Sequence, residues 1–186
     1  MTSSANSFWN SLYGQFVIEL IGGTIGALIF LFIVLILFRP NVKICPFICF
    51  NQLKGANTIY YFKLVNFSFF PAHDVEIELF SVRKISMGRG LFNNKYEPIP
   101  LLLSKISHMP GRAMCFRKSP QNPHCFVIRC GDDLKSILKV DINAIALKIS
   151  LKHGLTGLAR VVEQEFGNVE DLKAGKFKPG TKFDLI

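Results

Sequence analysis

The sequence predicts an all-β domain over residues 39–186, an antiparallel β-sandwich or a small β-barrel, preceded by a single transmembrane helix over residues 16–38. Short segments of alternating apolar and polar residues indicate strands with one buried face. Gly- and Pro-containing segments between them indicate turns. Basic residues are absent before Arg39, and Glu19 is the one acidic residue there, so the chain divides into an apolar part and a basic part.

Composition excludes several classes of protein. The chain has 186 residues, a formal charge of +9, 49% hydrophobic residues and 19% charged residues. It is too apolar for a disordered chain and too charged for a polytopic membrane protein. Five cysteines in a chain of this length do not indicate a disulfide-rich miniprotein.

The segment Leu20–Phe38 contains no charged residue, and Phe16–Ile18 extend it on the other side of Glu19. About 20 apolar residues cross a hydrocarbon core of about 30 Å. A cleaved signal peptide is the alternative, but it needs a basic leader and a shorter apolar core. We therefore expect a membrane helix over residues 16–38, ended by Pro40, which cannot continue a helix.

The flanking charges predict the orientation of this helix. No Lys or Arg precedes it, whereas Arg39, Lys43 and Lys54 follow it. Positive residues stay on the cytoplasmic side, so we expect residues 1–15 outside and residues 39–186 in the cytosol, at the inner (plasma) membrane. Aromatic residues that would lie at the outer interface are Phe8, Trp9 and Tyr13.

Gly22 and Gly26 form a small-residue pair four positions apart in the helix. Such a pair lets two membrane helices approach closely and predicts a homo-oligomer. Glycine is also common in membrane helices that do not associate, and that alternative stays open.

Five segments are expected to be strands: Thr58–Phe67, Asp74–Phe80, His124–Cys130, Ile145–Leu151 and Gly157–Phe166. The first is rich in β-branched and aromatic residues. The others include alternating runs in which every second residue is apolar.

The connections support the same fold. Asn66–His73 reads as a turn that contains a proline, and His153–Gly157 as a tight hairpin. Asp132–Lys139 predicts one short helix, and Lys176–Phe177 with Lys182–Ile186 a short final strand pair.

Two segments carry a family resemblance. Tyr60–Val82 resembles the paired strands that open the cytoplasmic immunoglobulin-like domain of inward-rectifier potassium channels. Ala146–Ile186, with its Thr156-Gly157 turn and Gly175-Lys176-Phe177 stretch, resembles the end of that domain. The resemblance implies an immunoglobulin-like sandwich. Those channels have two membrane helices and a TVGYG-type filter, which this sequence lacks, so potassium selectivity is not implied.

The plan of the chain also resembles small bacterial anti-phage effectors. In those proteins a short membrane anchor is joined to a cytosolic β-domain that senses a nucleotide signal, after which the inner membrane is disrupted. The resemblance concerns the architecture alone.

The cysteines and histidines do not predict a metal site. Cys45 and Cys49 have a spacing at the outer limit for a zinc ligand pair, and their only later partners are His124, Cys125 and Cys130. We expect buried thiols, no metal and no cofactor.

No catalytic motif is present, so an enzyme is not expected. The adjacent Asp132 and Asp133 follow Gly131 and precede an apolar stretch. This pattern is typical of a helix N-cap rather than of an acid–base pair.

Two basic clusters are the candidate ligand site. Both lie between expected strands and so are expected in loops, where arginines could converge on a phosphate. Attraction to anionic lipid is the alternative explanation. No helix suited to reading a groove is visible, so duplex nucleic acid is not expected. The six candidate residues are Arg83, Lys84, Arg89, Arg112, Arg117 and Lys118.

These observations lead to two functional hypotheses, both non-enzymatic. In the first, the β-domain senses a ligand, for which a nucleotide signal is one candidate, and oligomerised helices permeabilise the inner membrane or conduct ions across it, as in anti-phage defence. In the second, the protein is a membrane-anchored adaptor whose β-domain docks a cytosolic protein.

Overall fold

The structure is a computed structural model, and it describes residues 12–37, 40–52, 58–112, 122–140 and 143–186. The chain divides into two compact units, Met1–Arg39 and Pro40–Ile186.

The first unit contains one long helix, α1 (Leu12–Leu37). Its segment Tyr13–Leu35 is 23 residues long and, by length and composition, apolar enough to cross a membrane. Within that segment every residue other than Gly14 and Val34 is exposed. The expected single apolar helix is therefore confirmed, and it begins four residues earlier than residue 16. Phe8 and Trp9, expected at the outer interface, lie before the first described residue.

The described residues of the second unit form two five-stranded sheets. In the first sheet the central strand β3 pairs with β1 and β2 along one edge and with β7 along the other. The strand β10 pairs with β2. Its strands are β1 (Val42–Ile44), β2 (Ile48–Gln52), β3 (Thr58–Asn66), β7 (Cys125–Cys130) and β10 (Leu172–Ala174).

In the second sheet the order is β5-β4-β8-β9, and β6 pairs with the beginning of β4. Its strands are β4 (Ala72–Gly88), β5 (Leu91–Ile99), β6 (Lys105–Met109), β8 (Asn143–His153) and β9 (Ala159–Phe166). A short helix α2 (Leu134–Leu138) precedes β8, and a 3-10 turn spans Val169–Asp171.

Alternate residues of both sheets form one hydrophobic core. Phe62 and Phe166 contact each other there, with ring centroids 5.9 Å apart. Leu64, Ile77 and Leu147 are completely or almost completely buried. Truncating a buried phenylalanine to alanine typically costs about 3–5 kcal/mol, so this core contributes much of the stability of the β-domain.

The prediction of an all-β domain behind one apolar helix is confirmed. The expectation of purely antiparallel sheets is wrong at one place, because β10 pairs with β2 in parallel. The expected final strand pair is reduced to one isolated bridge between Phe177 and Leu185. The helix expected over Asp132–Lys139 forms over a shorter stretch, Leu134–Leu138.

Candidate functional site

The most prominent surface feature is a two-stranded arm, residues 83–96 of β4 and β5. The strand β8 pairs with β4 only as far as Arg83, which is opposite Asn143. Beyond Arg83, the described residues give β4 no partner other than β5. Every residue from Arg83 to Tyr96 is exposed. The arm therefore extends beyond the hydrophobic core.

A tight turn closes the arm. Gly88 pairs with Leu91, which leaves Arg89 and Gly90 as the two residues of the loop. Their φ angles are +50° and +76°. A type I′ turn requires positive φ at both loop positions, and its twist matches that of the flanking strands. Because Arg89 is not glycine, the left-handed conformation costs roughly 1–2 kcal/mol there.

Several large apolar side chains of the arm are exposed in the described part of the chain. Tyr96 packs edge-on against Phe80, with ring centroids 5.9 Å apart, where the arm joins the sheet. Nearer the turn, Met87, Leu91 and Phe92 are each more than 60% exposed. A cluster of exposed apolar residues on one projection is typical of an interaction surface. The exposed fractions are Ile85 41%, Met87 68%, Leu91 67%, Phe92 67% and Tyr96 48%.

The arm is also basic. Arg83, Lys84, Arg89 and Lys95 are exposed on it. Lys95 forms a salt bridge of 2.8 Å with Glu97, and this contact lowers the pKa of the Glu97 carboxyl. In the strand register Arg83 is opposite Lys95 and Lys84 is opposite Asn94, whereas Arg89 lies in the turn between Gly88 and Leu91.

The structure corrects the expected position of two candidate residues. Arg83 and Lys84 lie within β4 and not in a loop, because the strand continues past Phe80 to Gly88. Arg89 lies in the turn of the arm, as a loop residue.

Arg112 is not brought together with this group. It follows Met109, which pairs with Ala72 at the beginning of β4. Arg83 lies eleven positions further along the same strand, roughly 36 Å at 3.3 Å per residue. Arg117 and Lys118 fall outside the described residues. The expected convergence of the basic loops is therefore wrong for Arg112.

A cavity of about 700 Å³ lies at the end of the first sheet where β2 and β3 meet. The Tyr60 hydroxyl donates a hydrogen bond to the Asp133 carboxylate at 3.0 Å and accepts one from the Lys135 amide at 3.3 Å. Burial raises the pKa of Tyr60 to about 12, so the phenol stays protonated near neutral pH. The cavity is lined by Phe50, Gln52, Thr58, Tyr60, Gly131, Asp132, Asp133, Lys135 and Leu172.

The adjacent aspartates Asp132 and Asp133 lie at the start of the short helix α2. Asp133 is the N-cap of α2, and its side chain accepts a hydrogen bond from the Ser136 amide. The expected N-cap role is therefore confirmed. Asp132 lines the cavity beside it.

The described cysteines are not arranged for metal binding. Cys45, Cys49 and Cys130 are buried thiols. Burial raises the pKa of Cys45 to about 11 and that of Cys49 to about 12, so both thiols are unreactive near neutral pH. No group of three potential ligands occurs among the described residues. Cys115 lies outside that set.

Gly22 and Gly26 lie on α1 as expected. A Cβ atom added at either position would meet nothing within 4 Å. The surface around both glycines is therefore open in the single chain.

No family model matches the sequence, and no curated protein matches it. Among solved structures, the chain is similar to the crystal structure of the ApaA protein from Bordetella pertussis, with a TM-score of 0.39 and 12% sequence identity. The match covers 69% of this chain and 92% of that one.

Sequence reasoning missed the arm as a unit. The signal was present: Gly88-Arg89-Gly90 lies between two polar-apolar segments, as in a hairpin with a two-residue loop. Asn93, Asn94 and Pro98 concealed the second strand, because these residue types are uncommon in strands.

Proposed function

We propose that this protein is a membrane-anchored adaptor whose β-domain docks a cytosolic protein through the arm. The observation that carries this proposal is the exposure of Met87, Leu91 and Phe92 on a projection whose residues 83–96 are all exposed in the described part of the chain. Large apolar side chains of this kind are the usual anchors of protein interfaces.

The charge of the arm indicates the chemistry of the partner. Arg83, Lys84 and Arg89 are exposed on the same arm as the apolar anchors, and one acidic residue, Glu97, lies at the base of the arm. A complementary partner has an apolar pocket with an acidic rim, because opposite charges around an interface steer encounter and fix register.

The position of the arm favours a protein over the lipid bilayer. The chain enters the β-domain at Pro40, and the next residue, Asn41, accepts a hydrogen bond from the Phe67 amide at 2.8 Å. Phe67 lies just before the start of β4, whereas the arm is at the other end of that strand. The entry point and the arm are therefore at opposite ends of the β-domain.

Site-specific photocrosslinking in cells tests the proposal. A benzophenone amino acid is placed at Phe92 on the arm, and at Val161, which is 55% exposed on β9, as the matched control. We expect a crosslinked protein adduct from position 92 and none of the same mass from position 161. Reversing the charge with Arg89→Glu should reduce the adduct at least several-fold.

Three results contradict this function. One is an adduct of equal yield from both positions, and another is a position 92 that crosslinks only lipid. The third is loss of the adduct when residues 16–38 are replaced by an unrelated membrane helix, since an adaptor needs the helix only as a tether.

We also propose the topology and the finer fold that the sequence predicted. The chain crosses the inner membrane once, with its N-terminus outside, because basic residues follow the helix and none precede it. The two sheets form an immunoglobulin-like sandwich, as the resemblance to the inward-rectifier channel domain implies. Accessibility of residues 1–15 and of the arm to a membrane-impermeant label distinguishes the two sides.

A second candidate is the effector function in anti-phage defence. The β-domain senses a ligand, for which a nucleotide is one candidate, and the oligomerised helices then permeabilise the membrane. The open surface at Gly22 and Gly26 favours it, because close helix association needs such a surface. Expression in cells loaded with a membrane-potential dye tests it. A detergent-solubilised monomer together with unchanged potential under every activating condition rules it out.

A further inference from the structure

We propose that the end of the β-domain opposite the arm rests on an anionic lipid surface. We call it the Pro40 end, and it consists of residues 40–41, the loop 67–71, residues 110–112 and the hairpin 153–156. Two exposed apolar side chains project from it, Phe69 and Leu155, each 61% exposed. The proposal is independent of the adaptor function.

A buried side chain organises this end. The Asn66 amide is completely buried, and its Nδ2 lies 3.1 Å from the Pro110 carbonyl oxygen and 3.3 Å from that of Met109. Its Oδ1 accepts a hydrogen bond from the Ser68 amide at 2.9 Å. One side chain therefore fixes the loop 67–71 and the chain after β6 relative to each other.

Two glycines allow the three loops to pack closely. A Cβ atom at Gly111 would lie 2.4 Å from the Phe70 carbonyl carbon, and one at Gly154 would lie 2.9 Å from the Pro71 oxygen. The Gly154 amide donates a hydrogen bond to the same Pro71 oxygen at 2.8 Å. The loops form one platform, and no larger residue fits at either glycine without a backbone shift.

The platform holds Phe69 outward. Phe70 packs edge-on against His153, with ring centroids 5.5 Å apart, and Phe69 packs edge-on against Phe70 at the same distance. Phe70 thus occupies the space between the two loops and leaves Phe69 on the surface. Leu155 projects from the neighbouring hairpin. Exposed aromatic and aliphatic side chains on a fixed platform are suited to the boundary between headgroups and acyl chains.

The charge of the Pro40 end fits an anionic surface. Lys43 lies over the Phe67 ring at 5.3 Å, and Arg112 donates its amide to the Ser68 oxygen at 2.7 Å. Both side chains are exposed and positive. Lys152 is paired with Asp74 at 3.1 Å, so it adds little net charge. Basic groups near a membrane surface are attracted to anionic headgroups.

Covalent connection selects lipid as the occupant. The apolar segment Tyr13–Leu35 precedes Pro40 in the chain, and Pro40 belongs to this platform through Asn41, whose amide donates to the Ser68 hydroxyl at 2.6 Å. The surface that carries Phe69 is thus the surface at which the chain arrives from its membrane segment.

Fluorescence quenching in proteoliposomes tests the proposal on the full chain. The sequence has one tryptophan, Trp9, which is replaced by phenylalanine. Single tryptophans are then introduced by Phe69→Trp, by Leu155→Trp as a second probe, and by Phe92→Trp on the arm as the matched control. The vesicles contain phosphatidylglycerol, phosphatidylcholine and a brominated phosphatidylcholine as quencher.

We expect brominated lipid to reduce the emission at positions 69 and 155 at least two-fold more than at position 92. Charge reversal with Lys43→Glu and Arg112→Glu should remove this difference. Equal quenching at the three positions overturns the proposal, and so does quenching that is insensitive to replacing phosphatidylglycerol by phosphatidylcholine. A chain that does not float with the vesicles overturns it as well, because the anchor is then absent.

Discussion

The main chain of Asn41 is joined to that of Phe67 by a hydrogen bond of 2.8 Å from the Phe67 amide to the Asn41 carbonyl. This bond ties the entry of the chain into the β-domain to the loop that carries Phe69. The position at which the chain enters the β-domain is therefore fixed relative to that loop.

The first prediction concerns the buried Asn66. The buried Asn66 side chain accepts one hydrogen bond, and its Nδ2 lies within hydrogen-bond distance of three carbonyl oxygens, those of Phe70, Met109 and Pro110. Asn66→Ala removes all of these contacts, so we expect the free energy of unfolding to fall by about 2–3 kcal/mol. The matched control is Asn94→Ala on the exposed arm, which should change it by less than about 0.5 kcal/mol. Urea unfolding of the full chain in detergent, followed by circular dichroism, measures both. Equal effects would show that Asn66 does not organise the Pro40 end.

The second prediction concerns the turn of the arm. Arg89 has a φ of +50°, so Arg89→Gly should be neutral or stabilising, whereas the β-branched Arg89→Val should destabilise the hairpin by about 1–2 kcal/mol. Arg83→Val, in the extended part of β4, removes the same charge and serves as the control. Hydrogen exchange of the β4–β5 amides is the measurement. If the two valine variants behave alike, the effect comes from charge and not from the turn.

The third prediction concerns Lys63, which is almost completely buried. Its ammonium donates hydrogen bonds to the Lys178 and Lys182 carbonyl oxygens at 2.6 and 2.7 Å, and burial lowers its pKa. Lys63→Met should release the C-terminal segment, residues 175–186. The backbone amides of that segment should then exchange hydrogen at least ten-fold faster, while those of β8 are unchanged.

The control for that experiment is Lys148→Met. The Lys148 side chain is 41% exposed, and its Nζ lies 4.0 Å from a Glu78 carboxylate oxygen, a contact of little energetic value. We expect no change in exchange at the C-terminal segment in this variant. A segment that remains protected in Lys63→Met would mean that the aromatic contact between Phe47 and Phe177 holds it instead.

The fourth prediction is a dependence of stability on pH. Burial lowers the pKa of His153 below its ordinary value of 6.5, and its Nδ1 accepts a hydrogen bond from the Thr156 amide at 3.3 Å. Below about pH 6.5, His153 therefore binds a proton more readily in the unfolded chain than in the folded chain. Stability should be constant above that pH and decrease as the pH falls from 6.5 towards the lowered pKa.

Urea unfolding at pH 7.5 and pH 5.0 measures this effect. In His153→Asn the difference between the two pH values should shrink, because asparagine does not titrate and its oxygen still accepts the hydrogen bond. It should not disappear, since burial also lowers the pKa of His124. A difference that is the same in the variant would assign the acid sensitivity to other groups.

The sequence predicted the elements whose own pattern determines them. Leu20–Phe38 is long and apolar enough to predict a membrane-spanning helix, and the alternation at Ile145–Leu151 places one face of β8 in the core. The sequence could not predict the strand pairings that depend on contacts between distant parts of the chain. β10 pairs with β2 in parallel because the chain crosses from one sheet to the other, and no local pattern records such a crossing.

The sequence predicted only part of the candidate site, because the placement of its residues also depends on distant contacts. Arg83, Lys84 and Arg89 were identified by charge, but their placement on one arm depends on how far β4 continues beyond the core. Arg112 was grouped with them because loops were expected to converge, and the pairing of Ala72 with Met109 separates it. The platform around Asn66 depends on four segments that are far apart in the sequence, so only the structure could reveal it.

The length of β4 has a consequence for an acidic partner. A strand of 17 residues spans roughly 55 Å. Electrostatic potentials in physiological salt decay over about 8 Å. In the proposed orientation the turn of the arm lies many screening lengths from the negative headgroups, so a negatively charged protein meets the arginines there without repulsion from the bilayer. The strand serves as an electrostatic spacer.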